Sequence, residues 1–129
     1  MNQLKSENRL QYVDDIICSP TSAIKLADAC IKICESRFIG GIYNFSDSGF
    51  CSRFEFAHFI QKSLSEINNK FLKNKILKIS SENFNSILNR PKYTVFDCKK
   101  FSENYDFTFY HWKDNVRDLL KNTYKTSVT

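Results

Sequence analysis

The sequence predicts an α/β fold, on three observations. Short strand-type apolar runs alternate with amphipathic helical stretches in the order β-α-β-α-β, and the chain closes on one further helix. Its 129 residues hold only three glycines and two prolines, too few for a loop-rich or disordered chain. Alternation of this kind lays helices against a sheet. The length fits one domain, placed at residues 1–123, with a small sheet and about three main helices. The polar end, 124–129, reads as a flexible tail.

The first strand is Leu10-Gln11-Tyr12-Val13, running into Asp14-Asp15. Ser19-Pro20-Thr21-Ser22 then reads as a helix start with proline in the first-turn region. Apolar residues follow at 23, 26, 27, 30, 31 and 34, the spacing of one buried helix face, with Lys25, Asp28, Lys32 and Glu35 opposite. The helix is expected to stop before Gly40-Gly41. Ile42-Tyr43-Asn44-Phe45 is the second strand, closed by Ser46-Asp47-Ser48-Gly49. Ser52-Arg53-Phe54-Glu55 is a capping box, in which hydroxyl and carboxylate each satisfy the other residue's amide. Phe56, Phe59, Ile60, Leu64 and Ile67 line the helix behind it.

Ile76-Leu77-Lys78-Ile79 is the third strand, and Ser81 to Leu88 is compatible with a short helix. After Arg90-Pro91, Tyr93–Phe96 is extended, and Asp97 caps a helical turn through Phe101. In the last helix Trp112, Val116, Leu119 and Leu120 share a face.

Composition narrows the function. Met1 to Gln11 lacks the apolar core of a secretory signal, and no run of about 18 apolar residues exists to span a membrane. Five cysteines make an odd set, so free thiols in a reducing cytoplasm are expected. A net charge of +5 raises nucleic-acid binding. The basic residues are scattered, however, and the densest stretch, Lys70 to Lys78, reads as a solvated face, so no nucleic-acid partner is expected.

Candidate chemistry is sparse. Cys30 and Cys34 sit four apart on a helix, but a zinc site needs two more ligands, and their apolar face favours core cysteines over metal. His58 and His111 have no nucleophile nearby in sequence and read as packing or surface groups. Asp14-Asp15 ends a strand, where ligands often bind, yet a strand-to-helix turn favours the same residues, and the turn is preferred. Ser19-Pro20-Thr21 can present helix amides to a phosphate or serve as a plain cap. Arg90, stiffened by Pro91, suits a pyrophosphate and equally a surface ion pair.

Two absences weigh more. The only glycines, Gly40, Gly41 and Gly49, cannot form Gly-x-Gly-x-x-Gly, so no ordinary dinucleotide seat is present. No tyrosine has a lysine four residues later, so the Tyr-x-x-x-Lys pair of short-chain dehydrogenases is missing.

Three segments resemble the dTDP-4-dehydrorhamnose reductase family, a branch of the extended short-chain dehydrogenases. Leu10–Asp15 with Cys18-Ser19-Pro20-Thr21-Ser22-Ala23 is similar to its "V-x-D-Q-x-G-S-P-T-x-A" stretch. Gly41–Ser46 and Ser52–Ala57 resemble its "G-x-Y-H-x-S-G…S-W-Y-E-F-A" block. Arg90–Asp97 with Lys99-Lys100-Phe101 resembles "R-P-x-x-S-x-L-D…K-L", and a tryptophan-led helix follows. The likeness is collinear from about Leu4 to Leu120. Departures are Ile16 for glutamine, Cys18 for glycine, Asp47 for glycine and Arg53 for tryptophan.

The resemblance implies the C-terminal substrate-binding part of an extended short-chain dehydrogenase fold, with the Rossmann half absent. It implies a dTDP-sugar ligand, with Arg90, Ser19 and Thr21 as substrate-binding residues and Arg90 facing the diphosphate. NADPH and the catalytic pair would belong to the complete enzyme, so this chain is expected to hold no cofactor and to be incompetent alone, whether split or truncated. Its expected partners are a separate Rossmann half or a second copy. The alternative is a non-catalytic interaction or regulatory module built on the same fold.

Overall fold

A computed structural model describes residues 9–37, 39–68, 74–83 and 90–125. Part of the basic stretch (70–73), most of the 81–88 segment and the tail beyond Lys125 lie outside the described residues.

Two small sheets replace the single expected one. Strand β1 (Arg9–Val13) pairs in parallel with β4 (Lys75–Ile79), Leu10 opposite Ile76. The second sheet has the order β3-β2-β5, where β2 is Ile17–Cys18, β3 is Cys51–Ser52 and β5 is Tyr93–Thr94. β2 runs antiparallel to β3 and parallel to β5. Three helices dominate: α1 (Ala23–Glu35), α2 (Arg53–Ile67) and, after the short α3 (Lys99–Asn104), α4 (Trp112–Lys125). α4 thus continues two residues into the segment read as a tail.

The capping box forms as expected. Ser52 Oγ accepts from the Glu55 amide at 3.0 Å, and Glu55 Oε2 accepts from the Ser52 amide at 2.8 Å. α2 packs on α4, β1, β3 and β4. Trp112 anchors α4 to it, with ring centroids 5.6 Å from Phe56 and 5.0 Å from Phe59. A second core gathers Ala29, Phe101 and Tyr105, with Ile33, Tyr43, Phe45, Phe107 and Phe109 around them. Its rings meet mostly edge to face at 5–6 Å, the arrangement their quadrupoles favour.

Four expectations change. Helix α1 begins at Ala23 with Ser22 as its N-cap, so Pro20 precedes the helix. The apolar face at 23, 26, 27, 30, 31 and 34 is exposed, and α1 meets the core through Ala29 and Ile33 instead. Cys30 and Cys34 are therefore exposed thiols and not core residues. Ile42–Phe45 forms no strand, because no other described segment pairs with its backbone. Spacing identifies an apolar face; it cannot name what covers it. Asp97 stands one residue before the N-cap of α3, which is Cys98; its Oδ1 accepts from the Lys99 amide at 2.8 Å, and the helix runs on to Asn104.

Candidate functional site

Asp14 and Asp15 are a structural hub. Asp14 accepts from the Ser52 hydroxyl and from Lys78 Nζ, both at 2.8 Å, tying the end of β1 to the cap of α2 and to β4. The Lys78 contact, with the Ser52 hydroxyl behind it, holds this carboxyl below its ordinary range. Asp15 accepts from the hydroxyl and amide of Ser81, each at 2.8 Å, and pairs with Lys92 at 3.3 Å. The Ser81 hydrogen bonds bring its pKa down to about 2. Both carboxylates are consumed by the fold, as the turn reading expects.

The three candidate binding residues separate. β2 and β5 are parallel, with Ile17 opposite Tyr93. Ser19 follows the end of β2, whereas Arg90 precedes the start of β5, so they lie at opposite ends of this strand pair. Arg90 is exposed, and among the described residues no carboxylate pairs with it. The segment behind it is fixed by the Ile17 amide, which donates to the Lys92 carbonyl at 2.8 Å.

Ser19 lines a cavity of about 260 Å³ with Ser46, Ser48, Cys98 and Lys99, and its Oγ accepts from the Phe96 amide at 3.4 Å. Thr21 lines a larger, open groove of about 900 Å³. Leu10, Tyr12, Phe56, Ile60, Val116 and Leu119 give that groove apolar walls drawn from β1, α2 and α4. Arg90 lines neither cavity.

Sequence reasoning missed Asp47, which is 5% exposed and borders both cavities. Its Oδ2 accepts from the Ser22 amide at 3.0 Å, at the N-terminus of α1. A carboxylate therefore already takes the partial positive charge that a phosphate would seek there. The available signal was Asp47 standing where the resembling family has glycine.

The β2-to-α1 turn, Ser19–Ser22, has no glycine to admit a pyrophosphate, and Asp47 adds negative charge beside it. Gly41 and Gly49 pack instead against Lys100 and His111. Among the described residues no group of three potential metal ligands exists, and no helix is long and apolar enough to cross a membrane.

Residues 1–125 match the family described as RmlD substrate binding domain. The chain belongs to that family. It is 32% identical over 117 residues to the spore coat polysaccharide biosynthesis protein SpsK of Bacillus subtilis (strain 168), covering 91% of this chain and 38% of that protein. A dTDP-4-dehydrorhamnose reductase from Bacillus anthracis str. Ames, solved in complex with NADP, superposes with a TM-score of 0.74 at 28% identity. That match covers 92% of this chain and 39% of the reductase. The reductase from Yersinia enterocolitica gives 0.72 at 26% identity, over 88% and 37%. The one from Clostridium acetobutylicum, at 24% identity and a TM-score of 0.75, shares the fold over 92% and 40%. This RmlD-type domain thus spans about two fifths of the length of the relatives it matches, and its fold is part of theirs.

Proposed function

We propose that this RmlD-type domain is the sugar-nucleotide-binding part of a dTDP-4-dehydrorhamnose reductase, serving dTDP-L-rhamnose synthesis and supplying no hydride chemistry of its own. The observation that carries this reading is the family match over residues 1–125. The reductases and the polysaccharide biosynthesis protein among its relatives support it. The missing glycine turn and tyrosine-lysine pair leave the cofactor and the proton donor to a part outside these 129 residues.

Arg90 is the residue we assign to the diphosphate. Its guanidinium is exposed on a braced segment and has no ion pair among the described residues, so its fork is open to an anion. Ser19 and Thr21 offer one neutral hydroxyl each, at the far end of the β2/β5 pair.

Calorimetric titration of dTDP and of UDP into this protein, assembled with the rest of a reductase, tests the reading. Saturable binding with preference for dTDP is expected. Equal indifference to both nucleotides would overturn it. Fluorescence titration of NADPH into the chain alone is expected to show no saturable low-micromolar binding.

A further inference from the structure

We propose that the smaller cavity, between the β2-to-α1 turn and the segment leading into α3, binds a neutral monosaccharide, with Asp47 accepting from its hydroxyls and Phe50 and Phe96 packing on its ring. It lies apart from Arg90, which lines neither cavity, and stands independently of the sugar-nucleotide reading.

The floor of this cavity is polar and incompletely satisfied. Asp47 is buried, and the Ser22 amide engages its Oδ2 alone. Among the described residues its Oδ1 has no hydrogen-bond partner, and neither has the Ser48 hydroxyl. The Ser19 hydroxyl accepts from the Phe96 amide and keeps its own proton to donate. Ser46, also buried, spends its hydroxyl on the Asp47 carbonyl at 3.2 Å, which braces the floor. Leaving a carboxylate oxygen of so buried a residue without a donor costs free energy, and a ligand carrying hydroxyls supplies the donor.

The mouth is aromatic. Phe50 and Phe96 line the same cavity and stay 60% and 53% exposed, so their rings stand at its opening. The combination is apolar at the faces and hydrogen-bonding at the base. A pyranose has the matching shape, with C–H groups on its faces and hydroxyls around its edge. The negative face of an aromatic ring attracts such C–H groups.

Charge and size narrow the ligand further. Asp47 disfavours an anion. Lys99, on the rim, disfavours a cation, and its pairing with Glu103 at 3.6 Å is exposed and therefore weak. A wholly apolar ligand would leave Asp47 and Ser48 without partners. A volume of about 260 Å³ falls just under the roughly 300–1,000 Å³ of sites for drug-sized ligands, which suits one sugar ring and not a nucleotide sugar. Asp47 stands where the resembling family has glycine, so this acceptor is a feature of the chain and not of the family pattern.

The test is an NMR titration of D-glucose and L-rhamnose into the isotope-labelled 129-residue chain. At least one of them is expected to bind saturably in the millimolar range, moving the amides of residues 46–50 and 95–99. D-Glucuronate and D-glucosamine, which add a charge of either sign, are expected to bind about 5-fold more weakly than glucose. Asp47→Asn, which keeps an acceptor for Ser22, is expected to weaken binding roughly 10-fold. Phe96→Ala, at an exposed position, is expected to weaken it about 5-fold with melting unchanged. dTDP is expected to leave the sugar in place. Absence of saturable shifts with both sugars would overturn the proposal, as would shifts confined to the groove walls at 56–64 and 115–119. Binding unchanged in Phe96→Ala would overturn it too. Preference for glucuronate would make this an anion site, and displacement by dTDP would merge it with a nucleotide site; either result sinks the proposal. None of these outcomes touches the assignment of Arg90, which is read from dTDP binding by the assembled protein.

Discussion

The Asp47 carboxylate closes the N-terminus of α1, accepting from the Ser22 amide at 3.0 Å across 25 residues of chain. Asp47 is nearly buried, so this contact is shielded from competing water. Ser22 completes the cap by accepting from the Lys25 amide at 3.4 Å. Asp47→Ala is expected to cost about 1–2 kcal/mol of stability, the range of a lost cap or charged hydrogen bond. Asp47→Asn, which keeps an acceptor, is expected to recover part of it. Urea unfolding of the three proteins measures both.

Asp15 makes stability depend on acid. Its folded-state pKa is about 2, below the roughly 3.9 of an unfolded aspartate, because Ser81 donates twice and Lys92 sits alongside. The contribution is fully present above the unfolded value and is lost as pH falls through the folded one. Asp15→Asn is therefore expected to melt lower than wild type at pH 7, with the gap closing between about pH 4 and 2. Parallel melting curves across that range, with a constant gap, would refute the assignment.

Gly49 has φ +84°, and a Cβ built there would lie 2.5 Å from His111 Nε2. Gly49→Ala meets both a disfavoured backbone and a ring stacked on Trp112, so a loss of roughly 1–3 kcal/mol is expected. Adding His111→Ala is expected to restore only the steric part. Chemical denaturation of the single and double variants separates the two.

The thiols are expected to react in a set order. Cys30 and Cys34 are exposed, whereas Cys51 is 2% exposed and burial pushes its pKa up to about 12. Iodoacetamide at neutral pH, followed by mass spectrometry, is expected to modify the α1 pair first and Cys51 only on unfolding. Early modification of Cys51 would contradict the packing of β3.

Arg90→Ala is expected to weaken dTDP-sugar binding by the assembled protein roughly 10- to 100-fold, the loss of a charged bidentate contact. Arg90→Lys recovers part, since an ammonium lacks the fork. Ser19→Ala and Thr21→Ala cost less, one neutral hydrogen bond each. Melting temperatures are expected to stay unchanged for Arg90→Ala. A lowered melting temperature with intact binding would return Arg90 to a surface ion pair.

What the sequence determined by itself was local. The Ser52–Glu55 capping box, the span of α2, the cores of β1 and β4 and the Trp112 helix were legible because each depends on residues within a turn or two. The order of motifs also reached the family, since a collinear series of weak signals becomes specific. Tertiary structure alone decided the rest. β2, β3 and β5 are two residues each and exist only through pairing with distant chain, so no periodicity announces them. Asp47 reaches Ser22 only after the fold closes, and Arg90 and Ser19 are set apart by the parallel register of β2 and β5. The stripe on α1 and the strand pattern of Ile42–Phe45 were visible as apolar patterns, yet within these residues both lack cover. Hydrophobic spacing records which face shuns water, and only long-range packing settles which surface meets it.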